Sequence, residues 1–116
     1  MNALVVDDNV DAAELLAYRM RARGMETLTV GSVREAVAAL ASCKVDLVLT
    51  DYCMPEEDGL VLVKFCARTR ATLPVVIVTG WGRDDVADDA LDAGAFDLIE
   101  KPVTDHELDR VIARLQ

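Results

Sequence analysis

The sequence predicts an α/β fold: an open, doubly wound sheet of five parallel strands in the order 2-1-3-4-5. First, short apolar runs alternate strictly with longer stretches in which apolar residues recur every three or four positions. Second, the third and fourth runs are β-branched and nearly free of polar residues, which is typical of parallel strands covered on both faces. Helices that cross over between such strands supply that cover.

Five strands and five helices are expected in turn. The strand candidates are ALVV at 3–6, TLTV at 27–30, VDLVLT at 45–50, VVIVT at 75–79 and FDLIE at 96–100. Three helix starts carry a capping box, in which a side-chain oxygen precedes a glutamate by three residues: Asp11 with Glu14, Ser32 with Glu35 and Thr104 with Glu107. Glycines at 24 and 94 stand where helices should end. The segments 58–70 and 84–93 supply the other two helices.

Length and composition indicate one domain, residues 1–116, in the cytoplasm. A chain of 116 residues, 53% of them apolar, has room for one core. Its apolar runs stay well below the ~20 residues that cross a bilayer. The opening MNALVVDD lacks the basic region and long apolar run of a signal peptide. We expect no membrane contact and no room for an output domain.

The charge argues against nucleic acid as a direct partner. The net charge is −9, whereas phosphate backbones are bound largely by lysine and arginine. The basic cluster Arg19, Arg21 and Arg23 falls at an expected helix C-terminus, which favours cations, and docking of an acidic partner is the alternative. The three cysteines match neither a zinc site nor a redox pair, so we expect reduced thiols.

The unusual polar residues follow the predicted strands. Strand one ends in Asp7 and Asp8, strand three in Asp51, strand four in Thr79 and Gly80, and strand five in Lys101 and Pro102. Carboxyl ends of parallel strands share one edge of the sheet, where such folds bind ligands. Strands one and three are neighbours in this order, so three carboxylates should converge and repel one another.

A divalent cation would relieve this repulsion. Mg²⁺ suits a few carboxylates plus waters and leaves room for a phosphate oxygen, and Lys101 adds positive charge. Asp51 would then stay ionised, as a carboxylate that attacks phosphorus must be. Taken singly, Asp7 and Asp8 suit a turn or a helix cap, and residues 55–59 suit a turn. Complementary groups at four strand ends together favour the functional interpretation.

These motifs resemble those of the receiver domain of two-component response regulators. They are VVDD at 5–8, LTDYCMPEEDG at 49–59, VTG at 78–80 and GAFDLIEKP at 94–102. The resemblance, from about residue 2 to 116, implies a flavodoxin-like, CheY-like (βα)5 fold. It implies that a sensor histidine kinase or a histidine phosphotransfer protein phosphorylates Asp51. The target would be an effector protein or a linked output domain missing from this chain, and the domain would catalyse only its own phosphorylation and dephosphorylation.

The resemblance also implies the metal ligands. Asp8, Asp51 and the backbone carbonyl of Cys53 would bind Mg²⁺ directly, and Asp7 would hold its waters. Thr79 would bind the phosphoryl oxygens.

On the same grounds Lys101 would bind these oxygens too, and its peptide bond to Pro102 would be cis, the isomer that only X-Pro adopts cheaply. Phosphorylation would draw Thr79 and the loop from Gly80 inward. It would thereby change the face of the fourth helix, fifth strand and fifth helix, about 83–115, which is also a candidate dimerisation surface.

The sequence departs from the family pattern in two places. Leu98 stands where receivers usually carry the aromatic residue that rotates on activation, so that switch cannot operate there. Phe96 lies two residues earlier, which by the strand period is the same side, and is interpreted as core. Cys53 and Trp81 are poorly suited to orient an attacking water, so we expect slow loss of the phosphoryl group, with a partner-binding role for Trp81 as the alternative.

Three alternatives stay open from the residues alone. A haloacid-dehalogenase-like phosphatase would carry a second aspartate where Cys53 stands. A flavodoxin-like FMN binder would need a phosphate loop after strand one, where Asp7 and Asp8 would repel an anion. A phosphorylation-independent interaction module would not need the complete acidic set.

Overall fold

The computed structural model describes residues 1–80 and 83–115 and has the alternating architecture that the sequence predicts. The strands are β1 (Asn2–Val6), β2 (Glu26–Val30), β3 (Leu47–Asp51), β4 (Val75–Thr79) and β5 (Asp97–Glu100). The helices are α1 (Val10–Arg21), α2 (Val33–Ser42), α3 (Gly59–Thr69), α4 (Arg83–Ala93) and α5 (Asp105–Arg114). The strands form one parallel sheet in the order β2-β1-β3-β4-β5, which confirms the predicted fold and strand order.

The register brings the carboxyl ends of the strands level. Val6 pairs with Val30 on one side and with Thr50 on the other. Further along the sheet, Asp51 pairs with Val78. The three central strands therefore end side by side, and the residues that leave them share one edge of the sheet.

The core has two layers, one on each face of the sheet. Alternate strand residues such as Leu4, Val48 and Ile77 pack under α2, α3 and α4. The intervening residues, among them Leu49 and Val78, pack under α1 and α5. Fully burying such a side chain contributes about 1.5–3 kcal/mol, so both layers hold the strand ends in place.

Helix α1 begins two residues earlier than its predicted cap implies. Asn9, with extended backbone, is the N-cap, and its side-chain oxygen accepts a hydrogen bond from the Ala12 amide at 3.0 Å. Asp11 was predicted to cap but lies inside the first turn. The prediction was wrong because Asn9 caps the helix two residues earlier, which leaves Asp11 inside the first turn. There its negative charge is favoured by the helix dipole.

The other helix signals are confirmed. Ser32 caps α2 through the Glu35 amide, and Thr104 caps α5 through the Glu107 amide. Gly24 follows α1 at φ +84° and Gly94 follows α4 at φ +105°. Only glycine adopts these left-handed conformations without strain, which is why they end the helices.

The start of β5 differs from its prediction. The strand begins at Asp97, so Phe96 is outside the pleat and packs with the α1–α5 layer, whereas Leu98 packs with the opposite layer. The expectation that both share a side was wrong because the period of two applies only within the strand. The Arg114 guanidinium lies 4.2 Å from the Phe96 ring centroid.

None of the cysteines Cys43, Cys53 and Cys66 forms a disulfide. Burial raises the pKa of the Cys66 thiol, which keeps it protonated and inert. Over the residues that the structure describes, no helix combines the length and apolar character that a bilayer span needs.

Candidate functional site

Three carboxylates meet at the edge formed by the ends of β1 and β3. Oxygens of Asp7, Asp8 and Asp51 all lie within 4.8 Å of one another. Asp7 is 8% exposed and Asp51 9%, whereas Asp8 faces solvent. The Asp7 amide donates to the Val30 carbonyl at 3.0 Å, so the sheet ladder itself positions the first acid. The structure thus brings together the acidic residues that the strand order predicts should converge.

Lys101 brings the positive charge to this cluster. Its Nζ lies 3.4 Å from Asp51 Oδ1 and 3.8 Å from Asp7 Oδ2. The Lys101 amide donates to the Thr79 carbonyl at 2.7 Å, which ties the end of β5 to the end of β4. The Lys101–Pro102 peptide is cis, as expected from the resemblance.

The pKa of the Asp51 carboxyl is raised above its ordinary value. Burial is the largest cause, because a buried carboxylate loses hydration. The charge of Lys101 opposes this and lowers the pKa, while the charge of Asp7 raises it further. Lys101 and a backbone hydrogen bond from Tyr52 therefore favour the ionised form of Asp51, against burial and the charge of Asp7.

The loop from β3 to α3 depends on a glycine whose importance the sequence did not reveal. A Cβ atom on Gly59 would lie 2.5 Å from the Asp51 carbonyl oxygen and 3.2 Å from the Tyr52 Cα. The Gly59 amide donates to the Tyr52 carbonyl at 2.9 Å, so the chain folds back directly onto the strand end. Asp58 caps α3. The Asp58-Gly59 pair indicated a turn. The sequence did not show that Gly59 lies against Asp51, because that contact depends on how the loop folds back onto the strand end.

The residues fit a hard divalent cation. Three carboxylates with converging oxygens supply the ligand type that Mg²⁺ and Ca²⁺ prefer. Cys53 lies in an exposed stretch two residues beyond Asp51, where any contribution would come from its backbone rather than its thiol. A metal bound there would also offset the repulsion that raises the pKa of Asp51.

The remaining predicted residues are Thr79, Gly80, Trp81, Leu98 and Pro102. Thr79 is fully buried at the end of β4, and the exposed Gly80 follows it. Trp81 lies outside the described residues. Leu98 is 4% exposed and belongs to the core, and Pro102 is exposed beside the acids.

An apolar cavity of about 250 Å³ adjoins the acids. It lies between α1 and the segment that joins β5 to α5. Its lining includes Leu15, Leu16 and Val103 along with Asp51 and Lys101.

Comparison with known proteins agrees with this geometry. The model of the response regulator receiver domain matches residues 3–113. The chain belongs to this family. Receiver domains are signalling domains rather than classical enzymes, so the match favours this interpretation over a phosphatase or an FMN binder.

The curated relatives are response regulators of two-component systems. Response regulator protein PilR of Pseudomonas aeruginosa is 39% identical over 96% of this chain and 25% of PilR. The DNA-binding transcriptional regulator NtrC of Salmonella typhimurium is 35% identical over 97% of this chain and 23% of NtrC. The phosphate regulon transcriptional regulatory protein PhoB of Pseudomonas aeruginosa is 32% identical over 97% of this chain and 49% of PhoB. This receiver domain thus spans about a quarter to a half of the length of these relatives.

Solved receiver structures share the whole fold. The receiver domain of NtrX from Brucella abortus has a TM-score of 0.90 at 36% identity and covers 97% of this chain and 96% of its own. The response regulator TrrA from Thermotoga maritima, solved in complex with Mg²⁺ and BeF, has a TM-score of 0.90 at 25% identity. It covers 99% of this chain and 98% of its own.

Proposed function

We propose that this receiver domain accepts a phosphoryl group on Asp51 from a sensor histidine kinase or a histidine phosphotransfer protein, with Mg²⁺ as cofactor. The observation that carries the proposal is the meeting of three carboxylate side chains within 4.8 Å, with the ammonium of Lys101 3.4 Å from Asp51. Turn and cap chemistry explains each residue singly but does not explain why they meet.

In this proposal Asp8, Asp51 and the Cys53 backbone carbonyl hold Mg²⁺, and Asp7 holds its waters. The Asp7 carboxylate is already oriented, because its Oδ1 accepts a hydrogen bond from the Asn9 amide at 2.9 Å. When bound, the metal would neutralise charge on the carboxylates and on the incoming phosphoryl group. TrrA, which shares the fold, was solved with Mg²⁺ and BeF, and this supports the choice of metal.

The transfer itself is a displacement at phosphorus. A carboxylate oxygen of Asp51 forms a bond to the phosphorus atom, and the bond from phosphorus to the donor atom breaks. The donor atom keeps the electron pair and takes up a proton from solvent where its chemistry requires one. Lys101 and the Thr79 hydroxyl stabilise the charge that spreads over the phosphoryl oxygens.

The signal would leave through the face about 83–115, formed by α4, β5 and α5. Phosphorylation adds up to about two negative charges and three acceptor oxygens, which would draw Thr79 and the segment from Gly80 toward Asp51. Leu98 is part of the core, so the change would pass without an aromatic rotation at that position.

The same proposal covers the extent of the domain, its location and its partners. We infer that residues 1–116 form one receiver domain in the cytoplasm, with no direct contact to nucleic acid or membrane. Its target would be a downstream effector or a linked output domain, since the matched relatives are two to four times longer than this segment. The face about 83–115 is the proposed dimerisation surface.

The test is incubation with acetyl phosphate and Mg²⁺, followed by intact mass and peptide mapping. Wild type should gain one phosphoryl group on Asp51, removable by hydroxylamine, and the gain should require Mg²⁺. Asp51→Asn should gain none, whereas the exposed Asp88→Asn should behave as wild type. Absence of the modification in folded wild type would contradict the proposal and point to a phosphorylation-independent interaction module.

A further inference from the structure

Two arginines of α1 reach across to the beginning of α5. Arg19 donates from Nη1 to the Val103 carbonyl at 2.8 Å and from Nη2 to Asp105 Oδ1 at 2.8 Å. Arg23 bonds Asp109 through Nε at 2.7 Å and Asp105 through Nη2 at 3.1 Å. The basic cluster noted in the sequence is therefore engaged within the molecule at these two positions.

The two arginines hold different parts of the chain. Within the described residues, Arg23 hydrogen-bonds to side chains of α5 and to the backbone of its own helix, at the Arg19 carbonyl at 2.9 Å. Of the two arginines, Arg19 is the one that hydrogen-bonds to the backbone of the segment joining β5 to α5, at the Val103 carbonyl. Both arginines link α1 to α5, but of the two only Arg19 contacts the backbone that follows Lys101.

The packing of that segment against α1 is incomplete. The cavity of about 250 Å³ lies against Pro102 and Val103 and is lined from the other side by α1. Val103 is partly buried against the layer of α1 and α5, but the cavity means that packing alone does not fully fix the distance between this segment and α1. The guanidinium of Arg19, whose side chain is 23% exposed, bridges this gap with two hydrogen bonds of good length.

Lys101 stands between two backbone tethers. On one side its own amide is bonded to the Thr79 carbonyl at 2.7 Å, and two residues later Val103 is bonded to Arg19. In the part of the chain that the structure describes, the Lys101 ammonium lies 3.4 Å from Asp51 and 3.8 Å from Asp7. These are long for a charge-assisted hydrogen bond, so the backbone rather than the ammonium sets where this side chain starts.

The ion pairs around Arg19 support this arrangement. Hydrogen bonds from Arg19 and then Arg23 lower the pKa of Asp105, which keeps this carboxylate charged. Asp105 is exposed, and such a pair contributes little to stability. Its effect is to orient the guanidinium toward the Val103 carbonyl.

We propose that Arg19 is a positioning residue, which holds the segment after β5 so that Lys101 meets the phosphoryl group on Asp51. The inference rests on the proposed function of Asp51. A shift of about 1 Å in a charge-stabilising group costs up to about one hundred-fold in rate. Loss of the tether should therefore slow phosphorylation more than it disturbs the fold.

The test measures the phosphorylation rate with acetyl phosphate, Mg²⁺ affinity by calorimetry and thermal stability in four proteins. Arg19→Met should slow phosphorylation at saturating acetyl phosphate by about 10- to 100-fold, with Mg²⁺ affinity unchanged. Arg19→Lys should restore much of the rate, because an ammonium can still reach the Val103 carbonyl. Arg23→Met, the matched control, should lose comparable stability and keep the wild-type rate. Arg19→Gln replaces the methionine variant if that does not fold.

Two results would overturn the inference while the function of Asp51 stands. One is a wild-type rate in folded Arg19→Met. The other is equal slowing in Arg19→Met and Arg23→Met, or a parallel loss of Mg²⁺ affinity, since either would indicate general loosening of α1 and α5. If wild type itself is not phosphorylated on Asp51, the proposed function fails, and the inference fails with it.

Discussion

Asp51 combines two conflicting demands at a single residue. A nucleophile at phosphorus must be ionised, yet this carboxylate is nearly buried beside Asp7, and its pKa is raised chiefly by burial. Before any metal binds, the ionised form is therefore a cost to the folded state. Without a metal, the groups around Asp51 do not fully compensate the negative charge of its carboxylate.

The first prediction concerns Asp51→Asn in buffer containing a chelator. In the folded protein the pKa of Asp51 is raised from 3.8, so the stability that the protonated form confers is lost as pH rises through that raised pKa. At neutral pH the variant should melt a few degrees higher than wild type, because the uncompensated charge is gone. Below pH 3.8 the difference should vanish. Thermal melts between acid and neutral pH, with Asp88→Asn as control, would contradict this if the difference were equal at every pH.

The spatial neighbours of a residue could be predicted only where its place in the order of strands and helices fixes its place in the fold. Every strand of a parallel sheet ends at the same edge, so the meeting of Asp7, Asp8 and Asp51 follows from the chain order. The partner of Arg19 does not, because Asp105 lies 86 residues away and the pairing depends on how α1 and α5 are spaced. The sequence pattern at Arg19 indicated a helix end or, as the alternative, docking of an acidic partner, and not a contact with α5.

At the scale of elements, the loop between β3 and α3 requires the backbone of Gly59 to lie close to that of Asp51. Its chain reverses so tightly that Gly59 faces the Asp51 carbonyl, and Glu56 takes a left-handed conformation at φ +70°. Both features hold the nucleophile and the next helix in one unit.

The second prediction is that Gly59→Ala lowers the free energy of unfolding by about 1–3 kcal/mol, the usual cost of forcing extra volume into a packed site. It should also weaken Mg²⁺ binding, since the Asp51 backbone must move. Gly31→Ala is the control, because the nearest atom to its added Cβ is 3.8 Å away. Urea unfolding and calorimetry measure both effects. Equal stability of the two variants would contradict this account of the loop.

The third prediction concerns β5. Leu98 is 4% exposed and packs with the α2–α4 layer, so Leu98→Ala should cost about 2–5 kcal/mol of unfolding free energy. Leu91→Ala, at a side chain 61% exposed on α4, should change it by less than about 0.5 kcal/mol. A small cost at Leu98 in chemical denaturation would show that this side chain is loosely held and able to rotate.

The elements themselves were predictable because each carries a local signal. Ser32 and Thr104 are caps by side-chain chemistry, and Gly24 ends α1 by its φ. Local signals failed where two lay close together, as at Asn9 and Asp11, because either side chain can cap a helix and the local sequence does not choose between them. They also failed at Phe96, where the strand begins one residue later than the apolar run.

At the scale of the whole molecule, an acidic protein concentrates three carboxylates at one edge. The net charge is −9, so every added negative charge at the site is opposed by the rest of the chain. The parallel sheet nevertheless holds the acids together, because β1 and β3 are neighbouring inner strands packed on both faces.

The fourth prediction is that Mg²⁺ stabilises the fold. A cation bound only by the native state adds free energy that grows with its concentration, about 2.7 kcal/mol at one hundred times the dissociation constant. The melting temperature should rise with MgCl₂ and not with NaCl of equal ionic strength. Asp8→Asn should reduce the effect, and Asp92→Asn on α4 should leave it intact. An equal rise in all three proteins would indicate general screening of the negative charge.

The central claim is that a divalent ion joins the acids of β1 and β3 and prepares Asp51 to receive phosphorus. Crystals grown with Mg²⁺ and beryllium fluoride, whose tetrahedral form mimics a bound phosphoryl group, test it most directly. The account predicts fluoride density on an Asp51 oxygen, a cation shared with Asp8, and the Lys101 ammonium in contact with fluoride. An empty pocket in well-ordered crystals, or acids spread apart around it, would contradict the account.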